Sequence, residues 1–181
     1  MIGQQVLAPA LQGGTYSEAT VLGAVVWLWM HSASHRRTPL MDLQRLLLPA
    51  IKSGQFILVT HADKPVFYLS WAQFSPAAEA RYLQLHPSQL PETDWQSGDR
   101  MWVLDWVAPF GHSNGMRRLV QQLFATRCWR GLYHKGNQRG LQVKAFSGLA
   151  VLPVEARAWQ AANPVCWPAD NTQQTQRNNK V

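Results

Sequence analysis

The chain has 181 residues, of which 46% are hydrophobic, nine are Trp and two are Cys. This length and apolar content are typical of one globular domain with a sizeable core, and they exclude a disordered chain or a small disulfide-rich scaffold. A formal charge of +7 and a pI near 9.9 favour acidic partners such as a nucleic acid, an anionic lipid surface or an acidic protein.

Neither export nor membrane insertion is predicted. Residues 1–16 have no basic start and no long apolar core, and the longest apolar run, residues 21–30, is too short to cross a bilayer. We therefore expect a cytoplasmic protein with no transmembrane segment. Cys128 and Cys166 match no metal-ligand spacing, and one disulfide between them stays open.

The first half of the chain predicts helices followed by a β-hairpin. Residues 1–16 lack periodicity and are interpreted as a loose, flexible arm. Ser17 is a suitable N-cap for a helix that runs to Trp29, and Thr38-Pro39 is a suitable start for a second helix that Gly54 ends. The elements expected next are strands at residues 56–60 and 66–74, a short helix at residues 77–85 that Ser75-Pro76 caps, and a loop at residues 86–98.

The second half predicts a central strand and two further strands. The run from Met101 to Val107 is apolar on both faces, as in a strand that is covered on both sides of its sheet. The elements expected after it are a helix at residues 116–126, strands at 128–134 and 141–146, a helix at 153–162 and a disordered polar tail at 168–181. The sequence therefore predicts an α/β fold in which residues 17–167 form one domain with a mostly antiparallel, mixed sheet flanked by helices.

Asp105 is a carboxylate inside the predicted central strand. Strict alternation gives it the same face as Met101 and Val103, and the opposite face from Leu104 and Trp106. An ionised carboxylate in apolar surroundings is costly unless it is paired or hydrogen-bonded. Two interpretations follow: a structural Asp that accepts hydrogen bonds from loop amides, and a catalytic carboxylate whose partner lies elsewhere in the chain.

The segment after the strand favours the catalytic interpretation. Small residues from Gly111 to Gly115 form a loop before the next helix. A strand, a glycine-containing turn and a helix N-terminus together present backbone N–H groups to a phosphate. Arg117 and Arg118 would add positive charge there, although solvated helix charges explain these two residues equally well.

Two histidines, His31 and His35, lie at the exit of the first long helix. Three roles fit them. They can bond the last carbonyls of the helix, act as a pair of metal ligands or, where one faces a cleft, serve as a general base. No third ligand accompanies the pair in the sequence, which disfavours a metal.

Four stretches of the sequence resemble the RTX toxin-activating lysine acyltransferases, the accessory enzymes that fatty-acylate a hemolysin or leukotoxin protoxin. They are Leu22-Gly-Ala-Val-Val-Trp-Leu-Trp continuing to His35-Arg36, Leu48-Pro-Ala-Ile, Pro65-Val-Phe-Tyr-Leu-Ser-Trp-Ala, and the very specific Trp95-Gln-Ser-Gly-Asp-Arg-Met-Trp-Val-Leu-Asp-Trp-Val-Ala-Pro-Phe-Gly. Together these stretches span about residues 20–120, and beyond them the likeness fades to Val143-Lys-Ala-Phe.

The resemblance implies a fold related to GCN5-type N-acetyltransferases, an acyl-carrier protein as donor, and transfer to internal lysines of an RTX protoxin. It carries the family's catalytic His onto His35 and its catalytic Asp onto Asp105, with Ser32 in a supporting position. The donor substrate would be the acyl-phosphopantetheine of the carrier, with no tightly bound cofactor and no metal. Ala33-Ser34, Arg37-Thr38 and the loop His112-Ser-Asn depart from the family pattern, which leaves the fit of donor and toxin open.

The chemistry of these residue types is consistent with that implication. A lysine amine has a pKa of about 10.4 in water, so its attack on a thioester needs a group that removes a proton. His35 is of the right type, because an unperturbed His titrates at about pH 6.5, and Asp105 would hold its imidazole in one tautomer. Direct transfer and a transient acyl-enzyme on His35 both stay open, whereas a Cys acyl-enzyme is not expected.

Two other functions fit parts of the sequence. A GCN5-type acetyltransferase that uses acyl-CoA is the nearest enzymatic alternative, but the full pyrophosphate-binding signature of those enzymes is absent. A basic, Trp-rich nucleic-acid-binding domain is the alternative from another class, but most Trp lie on apolar faces and the basic residues are scattered. We therefore expect no nucleic-acid partner. The oligomeric state stays open, a homodimer included.

Overall fold

A six-stranded sheet forms the centre of the structure, a computed structural model that describes residues 3–133 and 142–167. The strands follow one another across the sheet in chain order: β1 (Gln4–Leu7), β2 (Phe56–His61), β3 (Lys64–Phe74), β4 (Arg100–Val107), β5 (Cys128–Tyr133) and β6 (Gln142–Ser147). Every neighbouring pair is antiparallel except β4 and β5, which are parallel. The predicted α/β fold with a mostly antiparallel, mixed sheet is confirmed.

In the described part of the chain, seven α-helices flank the sheet: α1 (Pro9–Gln12), α2 (Glu18–Met30), α3 (Leu43–Leu46), α4 (Leu48–Ser53), α5 (Pro76–Gln84), α6 (Ser113–Leu123) and α7 (Pro153–Ala162). Short 3-10 helices lie at Leu40–Asp42, Pro87–Gln89 and Glu92–Trp95. Ser17 accepts from the N–H of Thr20, and Ser75 accepts from the N–H of Ala78, so both predicted helix starts are confirmed. Within the described residues no helix is long and apolar enough to cross a bilayer.

The predicted loose arm at residues 1–16 is wrong over residues 4–12. Strand β1 extends the sheet by pairing antiparallel with β2, from Gln4 opposite His61 to Leu7 opposite Leu58. The hydroxyl of Tyr16 donates to the carbonyl of Ile51 further along. The sequence of these residues does not predict a strand, because β1 is ordered by pairing with the open edge of a strand that lies far away in the chain. Such an edge supplies backbone partners to any extended segment.

The single helix predicted from Pro39 to Gly54 is interrupted. A 3-10 turn precedes α3, and α3 and α4 are separate, with Pro49 near the start of α4. Pro49 has no backbone N–H to donate to the carbonyl of Arg45, and its ring crowds that carbonyl, so a continuous helix is broken there. Gly54, at φ 70°, ends α4 as predicted.

The other predicted elements agree with the structure in type. Ala62 and Asp63 form the tight turn of the β2–β3 hairpin with φ of 48° and 60°, and α7 has the predicted bounds. Helix α6 begins at Ser113 rather than at residue 116. The loop predicted at residues 86–98 contains two of the 3-10 helices. The predicted turn between β5 and β6 and the predicted disordered tail at 168–181 lie outside the described residues.

The two faces of the sheet are covered by different helices. Helices α2 to α5 pack on one face, where their apolar residues meet Leu58, Tyr68, Phe74 and Trp102. Helix α6 packs on the other face. Five of the nine Trp are buried in these layers and are therefore unavailable for stacking on nucleic-acid bases: Trp29, Trp71, Trp95, Trp102 and Trp129.

A β-bulge in β4 overturns the predicted face of Asp105. Ser70 of β3 pairs with Asp105, whereas the next residue, Trp71, pairs with Val103, so Leu104 is an extra residue in β4. An extra residue reverses the alternation that follows it. Asp105 therefore lies on the face of α2 and not, as predicted, on the face of Met101 and Val103.

The parallel pairing between β4 and β5 is short. It joins Trp102 to Arg130 and Val103 to Gly131, and residues 104–107 have no partner in β5. The sheet thus opens between the two strands beside Asp105.

Candidate active site

His35 is held in a hydrogen-bonded turn at the C-terminal end of α2. The N–H groups of Ser32, His35 and Thr38 donate to the carbonyls of Trp29, Ser32 and His35 respectively, at 2.9–3.2 Å. The imidazole lies against the indole of Trp29, with ring centroids 4.8 Å apart. Trp29 is buried at 4% exposure, so it supplies a fixed platform for the His35 ring.

The structure brings His35 and Asp105 together from positions seventy residues apart. His35 Nε2 lies 3.3 Å from Asp105 Oδ1, and the two side chains are 21% and 16% exposed. A half-buried pair at this distance is shielded from bulk water yet open to a ligand. The structural interpretation, with Asp105 accepting from loop amides, is not what the described residues show, since its hydrogen-bond partner there is His35.

Two serine hydroxyls lie on the other ring nitrogen of His35. Ser32 Oγ is 2.8 Å and Ser34 Oγ is 3.0 Å from Nδ1, and the two hydroxyls are 3.1 Å apart. One neutral tautomer satisfies all these contacts: Nε2–H donates to Asp105 and Nδ1 accepts from a hydroxyl. The basic lone pair of neutral His35 then lies on the serine side of the ring.

The negative charge of Asp105 acts on its buried surroundings. Burial, and in addition the charge of Asp105, raises the pKa of Tyr68 above its ordinary value. The same two causes, in the same order, raise the pKa of Tyr82. Both phenols therefore stay neutral at physiological pH.

His35 and Asp105 open onto one cavity of about 430 Å³. Its lining residues come from α2 and the turn after it, from α3, α5 and β4, and from the three 3-10 helices with their flanking residues: Trp29, Ser34, His35, Arg37, Thr38, Pro39, Asp42, Leu46, Tyr82, His86, Pro87, Trp95, Leu104 and Asp105. A larger cavity of about 560 Å³, beside Gln73, Glu155 and Trp159, contains neither member of the pair. The smaller cavity is therefore the candidate active site.

The residues predicted to bind the donor lie outside this cavity. Gly111 has φ +82°, and a side chain at Gly111 or Gly115 would meet open space. Gly115 belongs to the first turn of α6, and Arg117 and Arg118 are exposed on the same helix. None of the four is among the described residues that line the His35 cavity. They follow the end of β4 along the chain, in the loop before α6 and in α6 itself.

His31 takes the structural role predicted as one of its alternatives. Its Nδ1–H donates to the carbonyl of Trp27 at 2.8 Å, at the end of α2. A metal role is not supported, because the described part of the chain contains no group of three or more His, Cys, Asp or Glu able to hold a metal ion. Cys128 and Cys166 are free thiols.

Sequence reasoning missed the second hydroxyl, Ser34, and the aromatic wall of the cavity. Ser34 stood out only as a departure from a family pattern. Tyr82 lies in the helix that the sequence predicts at residues 77–85, and Trp95 lies near the end of the segment predicted as a loop. Their apolar side chains were the available signal, but only the fold shows that they face His35.

Comparison with known proteins gives a consistent set of similarities. The model of the RTX toxin acyltransferase family matches residues 15–147. Leukotoxin-activating lysine-acyltransferase LktC of a Pasteurella haemolytica-like species is 44% identical over 57% of this chain and 62% of its own length. Protein-lysine myristoyltransferase HlyC of Escherichia coli is 40% identical over 62% and 65% of the two chains. These two alignments span slightly less than two thirds of the relatives' own length.

A longer alignment and one solved structure complete the comparison. Protein-lysine palmitoyltransferase CyaC of Bordetella bronchiseptica is 36% identical over 83% of this chain and 82% of its own length. The loading GNATL domain of CurA from Lyngbya majuscula superposes with a TM-score of 0.53 at 12% identity, covering 75% of this chain and 67% of that domain. At this identity the likeness is one of fold alone.

Proposed function

The chain belongs to the RTX toxin acyltransferase family, and from this premise we propose that it transfers a fatty acyl group to internal lysines of an RTX protoxin. The observation that carries the proposal is the meeting of His35 and Asp105, at 3.3 Å, in one half-buried cavity. A base held by a carboxylate is what the attack of an amine on a thioester requires.

The proposed reaction is an acyl transfer from sulfur to nitrogen. The lysine ammonium first loses one proton, and the neutral amine then attacks the thioester carbonyl. The new C–N bond forms as the C–S bond breaks, and the second amine proton passes by way of His35 to the leaving thiolate. The products are an amide on lysine, a free thiol on the donor and one proton released to solvent.

His35 is proposed to receive the proton on Nδ1. Its Nε2–H is directed at Asp105, so the lone pair of the neutral ring lies beside Ser32 and Ser34. Ser34 also lines the cavity and is placed to pass a proton from the amine to the ring. Asp105 stabilises the imidazolium that forms and holds the ring in this tautomer. An acyl-enzyme on His35 would need the same nitrogen as nucleophile, and it is the alternative to direct transfer.

An acyl-carrier protein is the proposed donor. The chain carries a formal charge of +7, which suits an acidic carrier. The single phosphate of the carrier's phosphopantetheine would bind at the start of α6, near Gly111 and Gly115 and within reach of Arg117 and Arg118. From there the phosphopantetheine would enter where β4 and β5 separate and bring the thioester to His35. The open space beside both glycines supports close approach of a ligand.

The test uses purified protein, an RTX protoxin and a palmitoyl donor, with intact-mass analysis of the protoxin. We expect acylated lysines when the donor is palmitoyl-loaded acyl-carrier protein, and the rate of this reaction should fall as salt is added. Palmitoyl-CoA at equal concentration should give little product. Equal rates with both donors and no effect of salt would instead favour the acyl-CoA-dependent enzyme. No acylated lysine with either donor would overturn the proposed function.

A further inference from the structure

The cavity beside His35 and Asp105 has a polar mouth and an apolar floor. Arg37, Pro39 and His86 at its mouth are exposed. The floor is formed by aromatic and aliphatic side chains with no charge: Trp29, Leu46, Tyr82, Pro87, Trp95 and Leu104. Asp42, a half-buried carboxylate, also lines the cavity. The catalytic pair lies between the two halves.

The exposed fraction of the side chains also falls from the mouth of the cavity to its aromatic residues. Trp29, Tyr82 and Trp95 are 4%, 5% and 3% exposed, whereas His35 and Asp105 retain 21% and 16% side-chain exposure. A ligand that enters past Arg37 therefore reaches the catalytic pair before it reaches the aromatic floor. The part of the ligand that reaches the floor meets three aromatic rings and no charged side chain there, which favours an apolar chain at that depth.

The floor is fixed in place by the scaffold. Arg81 of α5 holds Asp94 by two hydrogen bonds of 2.8 and 2.6 Å, which fastens the segment that carries Trp95. The ring of Tyr82 lies 5.4 Å from that of Trp102 in an edge-to-face contact. A preformed wall of this kind has a fixed depth, so it discriminates between ligands of different length.

We propose that the floor of this cavity is the acyl-chain site and that Leu46 limits the length of chain it accepts. The inference rests on the proposed function, in which the thioester carbonyl lies beside His35. With the carbonyl there, the hydrocarbon chain extends away from the polar mouth and against the apolar floor. Leu46 is half-buried, lines the cavity and belongs to α3, a helix that contributes no catalytic group.

The experiment measures the ratio of palmitoyl to octanoyl transfer by intact mass, with carrier-bound donors and the protoxin. Leu46→Trp fills the floor, and each methylene that loses contact lowers the rate with that donor about fourfold. We expect the palmitoyl-to-octanoyl ratio to fall about tenfold or more, because at least two methylenes are displaced. Leu46→Ala enlarges the floor and should raise the ratio.

Leu22→Trp is the matched control. Leu22 is also half-buried and packs against the same apolar cluster as Leu46, but it does not line the cavity. The palmitoyl-to-octanoyl ratio of the Leu22→Trp variant should equal that of the unsubstituted protein. If Leu46→Trp does not fold by circular dichroism, Leu46→Phe takes its place with a smaller increase in volume.

Three results separate this inference from the proposed function. A folded Leu46 variant whose ratio equals that of Leu22→Trp overturns the acyl-chain site and leaves the proposed function intact. Equal losses with both donors also overturn it, since the cavity would then hold the acceptor instead of the chain. An unsubstituted protein that transfers neither chain counts against the proposed function itself.

Discussion

Two carboxylates on the same face of the sheet, Glu79 and Asp105, have opposite surroundings. Glu79 is completely buried and has a full set of donors: Arg100 at 2.5 Å, Arg130 at 2.9 Å, the Trp102 indole at 2.8 Å and the Cys166 N–H at 3.1 Å. Asp105 is 16% exposed and has His35 at 3.3 Å as its partner among the described residues. Both lie on or against β4, so the strand itself does not explain the difference.

The comparison shows how a structural carboxylate differs from one available for chemistry. Every oxygen of Glu79 is occupied, and burial lowers the pKa of Arg130 while the charge of Glu79 opposes that shift. Such a network is closed to water and to ligands. Asp105 keeps acceptor capacity and faces a cavity. Free acceptor capacity beside a cleft is consistent with the catalytic role proposed for Asp105.

The largest effect should come from removing the base of the open pair. His35→Ala should lower acyl transfer roughly a thousandfold or more, because a general base contributes on that scale. Intact-mass analysis of the protoxin measures it. His31→Ala is the matched control, since His31 lies on the same turn but bonds only Trp27 within the described structure. Retained acylation in a His35→Ala protein with a normal melt would remove His35 from the mechanism.

Glu79→Gln should act on stability instead. It leaves two buried guanidinium groups with less compensation, and breaking a buried ion pair costs roughly 3–5 kcal/mol. For a chain of this size that loss lowers the melting temperature by about 10 °C, measurable by circular dichroism. Below the melt, turnover per folded molecule should be normal. A variant with an unchanged melt and impaired turnover would erase the distinction between the two carboxylates.

Asp105→Asn should have the reverse profile. The shape is kept and the charge is lost, so turnover should fall about a hundredfold while the melt changes by a few degrees at most. Asp94→Asn is its control, because Asp94 is a buried carboxylate bound to Arg81 on the scaffold, where its loss affects folding. An early melt with normal turnover in Asp105→Asn would make Asp105 the structural residue.

The smallest effects should come from the hydroxyls on Nδ1. Ser32→Ala and Ser34→Ala should each reduce turnover about tenfold or less, because either hydroxyl can serve the ring when the other is absent. The double variant should lose more than the two single losses combined. Initial acylation rates of the unsubstituted protein, the two single variants and the double variant test this prediction. Strict additivity would mean that the two hydroxyls act independently.

The local elements were predictable because their signals are local. Ser17 and Ser75 start helices by accepting from N–H groups three residues ahead, and Gly54 ends one with a positive φ. The strands of the central hairpin and of β4 follow from apolar and β-branched runs. His35 and Asp105 were each candidates from their residue type and their place in a predicted element, but only the family resemblance joined them as a pair, since nothing else in the sequence connects positions seventy residues apart.

The structure alone decided which groups meet. Residues 4–7, predicted as part of a loose arm, form β1 because they pair with the open edge of β2. The bulge at Leu104 places Asp105 on the face of α2, opposite to its predicted face. Alternation along a strand is local, but the partner strand determines where an extra residue interrupts it. The same holds for the cavity, whose floor joins Leu46, Tyr82 and Trp95 from three separate elements. Sequence therefore determined the types of the elements and the kinds of reactive groups, and tertiary packing determined their side of the sheet and their neighbours.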